Sequence, residues 1–581
     1  MAQSPRYLSP GFARTHWNVA KDRRTILLSV NDGPPTPFVI KGVDYSPRPI
    51  NDAAATLPAS DYFWGAPGHL TYGPIWMRDL WGSSYNRAGS TLPDGLMRQL
   101  GANSIHTYAW WKWVPTGPSD YTKWRTLDWT VGPRVRFGDK AAPRGFAAYP
   151  AHDGGDQFLD LCWNGGVKPI YVIIGITVDP WLALPFANPR AGRAHDVQAF
   201  MARTVKWLAQ RYGYHPAVLG FAIGNETNVP TVYGTDRYLE YWRYLNSLGR
   251  IAKRYAPDKL TLSAFADYPV KEYSLLLTPL VEFKDRRHVR PGAPTVGVCV
   301  DPDGANLSVD CSSAKRRRAY PPDIYSLDVW GFNTYLKPES KQLAEFERYI
   351  VDGEYTNGGA MGASPPNPVP RPLIWTEWGA PVSTRIRAGR PPAAPNGEWV
   401  SAEPGKPGRF NGAPGIHAAA LIQQIASDLY ASDSRISTAG HGILSGGYVF
   451  EFSDEWWKQA PRNPTTWSSH DTTNAQQMFA WGEPPNGYQS YWDEEWFGLL
   501  SVAPNPARTP QCEPNGYGKD GACNGNVAGS GPGQPDDPVL TSPGRWLNGG
   551  ADVLSKRAGF YAIQSVFMRS GTTAKPAHFA R

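Results

Sequence analysis

Two glutamates follow apolar runs in this chain. Glu226 closes Val218-Leu219-Gly220-Phe221-Ala222-Ile223-Gly224-Asn225-Glu226, and Glu377 closes Pro372-Leu373-Ile374-Trp375-Thr376-Glu377. They are 377 − 226 = 151 residues apart, about 50 per βα unit over three units. Opposed carboxylates at strand ends are what glycoside cleavage needs. One is protonated and helps the leaving oxygen depart, and the other is ionised and attacks the anomeric carbon. A carboxylate gap of ~5–5.5 Å gives retention through a covalent glycosyl-enzyme, and a wider gap gives inversion. On this reading Glu226 and Glu377 are the catalytic pair, with no metal and no cofactor.

Neighbouring residues suit supporting roles. Asn225 is placed to hydrogen-bond a sugar 2-hydroxyl. Tyr335, ending another apolar run, is placed either to donate to the Glu377 carboxylate and keep it ionised or simply to pack at the rim. Asp44, Tyr45, His106, Tyr108 and Glu451 end further runs and are expected to line the cleft. Flat indole faces stack on pyranose C–H faces while the hydroxyls stay wet, so Trp110, Trp111, Trp378, Trp456 and Trp457 are expected as sugar platforms. Most of the other Trp among the 24 are expected in the core.

These residues need a scaffold that brings strand ends together. Eight short apolar runs begin at Phe38, Ser104, Pro169, Val218, Leu260, Val329, Pro372 and Gly446. Helical periodicity separates several of them, as in Val197, Phe200, Met201, Val205 and Leu208. Strand–helix alternation of this kind predicts an α/β fold with a parallel sheet, and eight such strands predict a (β/α)8 barrel with its active site on the C-terminal face. A last helix is predicted near Ala551–Phe567. Residues 1–36 are read as an extension and hairpin on the barrel floor, turning at Asn31-Asp32-Gly33. Residues 37–581 are read as one barrel with a Trp/Pro/Gly-rich insertion at about 452–550.

Composition agrees. Of 581 residues, 41% are hydrophobic and 19% charged, which supports a large core and excludes wholesale disorder. Gly 59 and Pro 56 together make about a fifth of the chain and call for long structured loops. Lys+Arg 58 less Asp+Glu 51 leaves +7, without a basic helix or zinc-finger spacing, so nucleic acid is not expected as a partner. The basic clusters Lys284–Arg290 and Lys315–Arg318 suit solvated loops or an acidic ligand. No apolar run is long enough for a membrane-spanning helix. Cys299 with Cys311, and Cys512 with Cys523, each close a short polar loop as a local disulfide would. Cys162, in an apolar helical run, reads as a buried free thiol. Paired cysteines point to an extracellular or periplasmic location. The start, Met1-Ala2-Gln3-Ser4-Pro5-Arg6, has no apolar signal core, so either a signal has been removed or the pairing fails.

With these motifs in hand, the chain resembles the retaining β-glycosidases of glycoside hydrolase clan A, (β/α)8 barrels with an Asn-Glu acid/base at the fourth strand and a Glu nucleophile at the seventh. Asn225-Glu226 and Glu377 match that pattern. Within the clan it looks similar to the family 72 β-1,3-glucanosyltransferases. Ile40-Lys41-Gly42-Val43-Asp44-Tyr45-Ser46-Pro47, Leu100–Tyr108, Thr376-Glu377-Trp378-Gly379 and Leu444–Glu451 with Phe497–Leu500 carry that likeness. The chain departs at His106, where that family has Arg, and at Ala380-Pro381, where it has Cys-Asn. The resemblance implies a retaining enzyme on a polysaccharide, a β-glucan with a β-1,3 linkage. Transglycosylation with the same residues is one alternative, and a non-catalytic carbohydrate-binding barrel is another.

Overall fold

A strand buried on both faces reads as a continuous apolar run rather than as an alternation. Tyr171–Ile176, Val218–Ile223, Val329–Asn333, Leu373–Trp378 and Leu444–Val449 read this way, and every residue in them is buried. The computed structural model describes residues 13–21, 24–47, 76–81, 95–108, 110, 154–176, 194–226, 245, 247–266, 298–299, 309–310, 327–334, 371–380, 416–431, 444–455, 497–503 and 553–569.

The strands in chain order are β1 (Thr15–Val19), β2 (Ile26–Val30), β3 (Thr36–Pro37), β4 (Ile40–Asp44), β5 (Ser104–His106), β6 (Tyr171–Ile176), β7 (Val218–Ile223) and β8 (Leu260–Ala266). They continue with β9 (Val298–Cys299), β10 (Val309–Asp310), β11 (Val329–Asn333), β12 (Leu373–Trp378), β13 (Leu444–Val449), β14 (Leu500–Ala503) and β15 (Val553–Lys556). The helices are α1 (Leu96–Leu100), α2 (Gly154–Trp163), α3 (Ala194–Tyr212), α4 (Ile416–Ala431) and α5 (Ala558–Arg569), with residues 247–255 also helical.

Strands β4, β5, β6, β7, β8, β11, β12 and β13 form a closed barrel in that cyclic order. Strand pairs within it run parallel, as β6–β7, β7–β8, β8–β11 and β11–β12 show. Helices lie between the strands. This is the (β/α)8 barrel predicted, and each of its strands overlaps one of the eight apolar runs.

By internal contacts the chain falls into two units. The first comprises Met1–Ile40, Tyr171–Trp378 and Ser432–Gly447. In it, the predicted N-terminal hairpin is part of a three-stranded sheet with β2 between β1 and β3. Asn31 and Asp32 turn the chain at φ 52° and 59°, a conformation these two residue types tolerate. Trp17 of β1 is fully buried, with its ring edge-on to Phe38 at 4.9 Å and to Tyr171 at 4.8 Å. The Trp17 backbone N–H donates to the Asp258 carbonyl at 2.8 Å, and the Thr15 hydroxyl donates to the Pro216 carbonyl at 2.9 Å. Lys259 Nζ donates to Thr15 Oγ1 at 2.7 Å and to the carbonyls of Thr15 and His215 at 3.2 Å each. Each of these acceptors outside β1 precedes β7 or β8, so β1 docks on the N-terminal side of those strands. Gly446 has φ 95°, and a Cβ there would fall on the Ile40 backbone.

The second unit comprises Lys41–Ile170, Gly379–Ala431 and Tyr448–Arg581. Here β4 and β5 pair in register, Asp44 opposite His106. The helix predicted near Ala551–Phe567 is a strand followed by a helix: β15 pairs antiparallel with β14, and α5 begins after Arg557. The pairing with β14 makes Val553–Lys556 a strand, and the helix starts only beyond Arg557. Tyr430 of α4 meets Phe567 of α5 edge-on at 5.3 Å. Arg557 grips both carboxylate oxygens of Asp454, at 2.5 and 2.6 Å, and the Gly498 carbonyl at 2.7 Å. Cys162 lies buried in α2 as a free thiol.

Cys299 ends β9, opposite Val309 of β10. Cys311, Cys512 and Cys523, most of the 452–550 insertion and both basic clusters lie outside the described residues. Among the described residues no helix is long and apolar enough to cross a membrane.

Candidate active site

Strand β7 is held to β6 up to its last residue, where the Gly224 N–H donates to the Ile176 carbonyl at 2.8 Å. The chain then swings through left-handed backbone, with Gly224 at φ 78° and Glu226 at φ 48°. Gly224 adopts this freely. For Glu226 it is an uncommon conformation that the surrounding structure must hold in place, a feature that clusters at functional sites. The turn leaves Glu226 half-buried.

Glu377 belongs to β12 itself and is 5% exposed. Its carbonyl accepts the Thr334 N–H at 2.8 Å, and β11 shifts register at Phe332/Asn333, so that Asn333 lies opposite Glu377.

A polar web joins the two glutamates. The Thr376 hydroxyl donates to Asn333 Oδ1 at 2.7 Å. Asn333 Nδ2 donates to Asn225 Oδ1 at 3.0 Å and to Glu226 Oε1 at 3.4 Å. Asn225 Nδ2 donates to Glu377 Oε1 at 3.2 Å. Each glutamate thus accepts one amide N–H, Glu226 from Asn333 and Glu377 from Asn225, a contact that favours the ionised form of a carboxyl group. Asn333 and Thr376 are buried, at 1% and 0% exposure. Such a cluster presents two carboxyl groups, each held by an amide donor. One group can carry a proton and the other can act as a nucleophile.

Asn225, expected at a sugar 2-hydroxyl, directs its Nδ2 to Glu377 here. Tyr335, Trp111, Trp456 and Trp457 lie outside the described residues. Trp378 is fully buried in the first unit, its ring against Gly447.

The other expected cleft residues form clusters in the second unit. His106 Nδ1 lies 2.6 Å from Asp44 Oδ1, both side chains buried. Burial pushes the imidazole down to about 3, so near neutral pH it is uncharged. Facing an ionised Asp44, the neutral ring carries its proton on Nδ1 and keeps Nε2 as an acceptor. The Tyr45 hydroxyl donates to Asp79 Oδ2 at 2.7 Å, and Arg78 Nε reaches Asp79 Oδ1 at 2.6 Å. Burial, then the Asp79 charge, raises the Tyr45 phenol well above its ordinary range. Tyr448 and Ser104 share a hydrogen bond at 2.8 Å. Trp110 is 1% exposed and donates to Thr107 Oγ1 at 2.7 Å, Tyr108 is 6% exposed, and Glu451 is buried beside Phe497 with its N–H on that residue's carbonyl. The expected platforms Trp110 and Trp378 are thus enclosed by protein.

The sequence reading missed Asn333, Thr376 and Asp79. Asn333 carried the positional signal that marked Glu226, a polar residue at the C-terminal end of an apolar strand. Among the described residues no group of three or more His, Cys, Asp or Glu side chains suits a metal ion.

No protein-family model matches the chain, family 72 included, and no curated protein matches it. Among solved structures it is similar to the GH2 β-galacturonidase of Eisenbergiella tayi, at 13% identity and TM-score 0.35, over 96% of this chain and 55% of that one. It is also similar to the β-D-glucuronidase of Dictyoglomus thermophilum, at 13% identity and TM-score 0.35, over 77% and 48%. A third is the Ruminococcus gnavus β-glucuronidase, at 12% identity and TM-score 0.33, over 78% and 49%. The chain spans about half the length of these structures. At such identities and TM-scores nothing about chemistry passes from those proteins to this chain.

Proposed function

We propose that the chain is a glycoside hydrolase acting on a β-linked polysaccharide, a β-glucan first of all, by double displacement. The observation that carries this reading is the amide web that ties Glu226, on its left-handed turn after β7, to Glu377 on β12. Glu377 attacks the anomeric carbon as the bond to the leaving oxygen breaks, and Glu226 gives that oxygen its proton. Glu226, now a carboxylate, takes a proton from water. The water oxygen attacks the same carbon and releases Glu377. Asn225 donates to Glu377 and favours its ionised form before attack.

The test is a panel of defined β-linked oligosaccharides, glucans of each linkage included, with products read by mass spectrometry and their anomeric configuration by proton NMR. The expected result is cleavage with the β-configuration retained in the first-formed product. Inversion would remove the double-displacement step. Products longer than the substrate would put a sugar hydroxyl in place of water as the acceptor. Binding without cleavage would leave only a carbohydrate-binding barrel.

A further inference from the structure

We propose that Asn333 is a positioning residue that sets the geometry of both glutamates, oriented in turn by the Thr376 hydroxyl; this rests on the reading of Glu226 and Glu377 as the reacting pair. Three observations meet on this one side chain. Its Nδ2 reaches the Glu226 carboxylate directly and the Asn225 amide at the same time, and Asn225 passes the contact on to Glu377. Its Oδ1 is occupied by the Thr376 hydroxyl at 2.7 Å. It stands at the register shift of β11, opposite Glu377.

An amide is nearly symmetric in shape, so packing alone cannot choose which end faces the carboxylates. The wrong choice would turn a carbonyl oxygen toward Glu226 and toward Asn225 Oδ1. The acceptor-only Glu226 carboxylate favours the NH2 end, and the Thr376 hydroxyl, donating to the Oδ1 end, holds the amide in that orientation. Asn225 is then fixed by the same logic, because its Oδ1 is engaged by Asn333 and its Nδ2 is left to face Glu377. The hold on both amides therefore includes a hydroxyl that touches neither glutamate in this web. Thr376 immediately precedes Glu377 on β12, and its hydroxyl meets the Asn333 side chain of the neighbouring strand β11.

The test compares Asn333→Ala, Thr376→Val and Thr376→Ser with the wild-type chain. A donor to an ionised carboxylate lowers its pKa, so removing the donor raises it. In Asn333→Ala both limbs of the kcat/KM profile are expected to move up by roughly half a pH unit. kcat is expected to fall by about 10- to 100-fold, with KM changed far less. Thr376→Val, which keeps the shape and loses the hydroxyl, is expected to move the profile the same way, and Thr376→Ser to restore it. An unchanged profile in a folded Asn333→Ala, or a Thr376→Ser as impaired as Thr376→Val, overturns the proposal and leaves the catalytic reading intact. Titration of the 13C-labelled Glu226 carboxyl by NMR needs no substrate. If no glycan is cleaved but that titration moves in Asn333→Ala, the catalytic reading fails and the positioning role stands. If it does not move, the positioning role fails as well.

Discussion

His106 holds a neutral imidazole against a buried carboxylate, and that has an acid signature. Its folded pKa is about 3, against about 6.5 for a free histidine. Between those values the unfolded chain binds a proton that the folded chain refuses, so this group's contribution to stability falls as pH drops through that window. The expected outcome is that His106→Asn, which keeps a donor toward Asp44, shows a shallower loss of urea midpoint between about pH 6.5 and 3 than the wild-type chain. Identical slopes would mean that the imidazole titrates normally. At this scale the strand-end positions of Glu226 and Glu377 were legible, because each follows an apolar run. Asn333 was not, because its partners lie 108 and 43 residues away, at Asn225 and Thr376. An Asn at a strand end says nothing by itself about what it faces.

Strand β1 shows how an element escapes a reading by pattern. Thr15-His16-Trp17-Asn18-Val19 has too few apolar residues to register as a strand, and its role comes from what it meets. Trp17 fills the space between Phe38 and Tyr171, and its truncation to Ala is expected to cost about 3–5 kcal/mol in chemical denaturation. Lys259, which anchors the same strand, is pushed down to about 7 by burial. The unfolded chain keeps that proton to about pH 10.4. Between these values stability is therefore expected to rise with pH, and Lys259→Met is expected to flatten that rise. A denaturant series from about pH 7 to 9.5 reads this slope below the range in which tyrosines ionise. A slope unchanged by Lys259→Met would show that the amine is charged in the folded chain throughout. The barrel strands β6, β7, β11, β12 and β13, by contrast, were legible because burial on both faces leaves them near-continuous apolar runs. The closing segment was only half legible, since Val553–Lys556 is a strand too short to show a period and only Ala558–Arg569 carries a helical one.

At the scale of the whole molecule, a closed parallel barrel gathers residues far apart in sequence at strand ends. A site of that kind can work with side chains alone. Two-carboxylate cleavage has no step that needs a metal ion, so dialysis against a chelator is expected to leave the rate on the preferred glycan unchanged. A lost rate restored by a divalent cation would call for different chemistry. The aromatic excess in the composition suggested a Trp-lined mouth. Trp110 and Trp378, the two expected platforms among the described residues, instead serve the interior, because an indole that follows an apolar strand is pulled into the same core. The most direct measurement of the central claim is kcat/KM of Glu377→Ala on the glycan that the wild-type chain cleaves fastest, with folding checked by circular dichroism. A loss of about ten-thousand-fold or more is expected if Glu377 forms the covalent bond, and turnover near the wild-type value would contradict it.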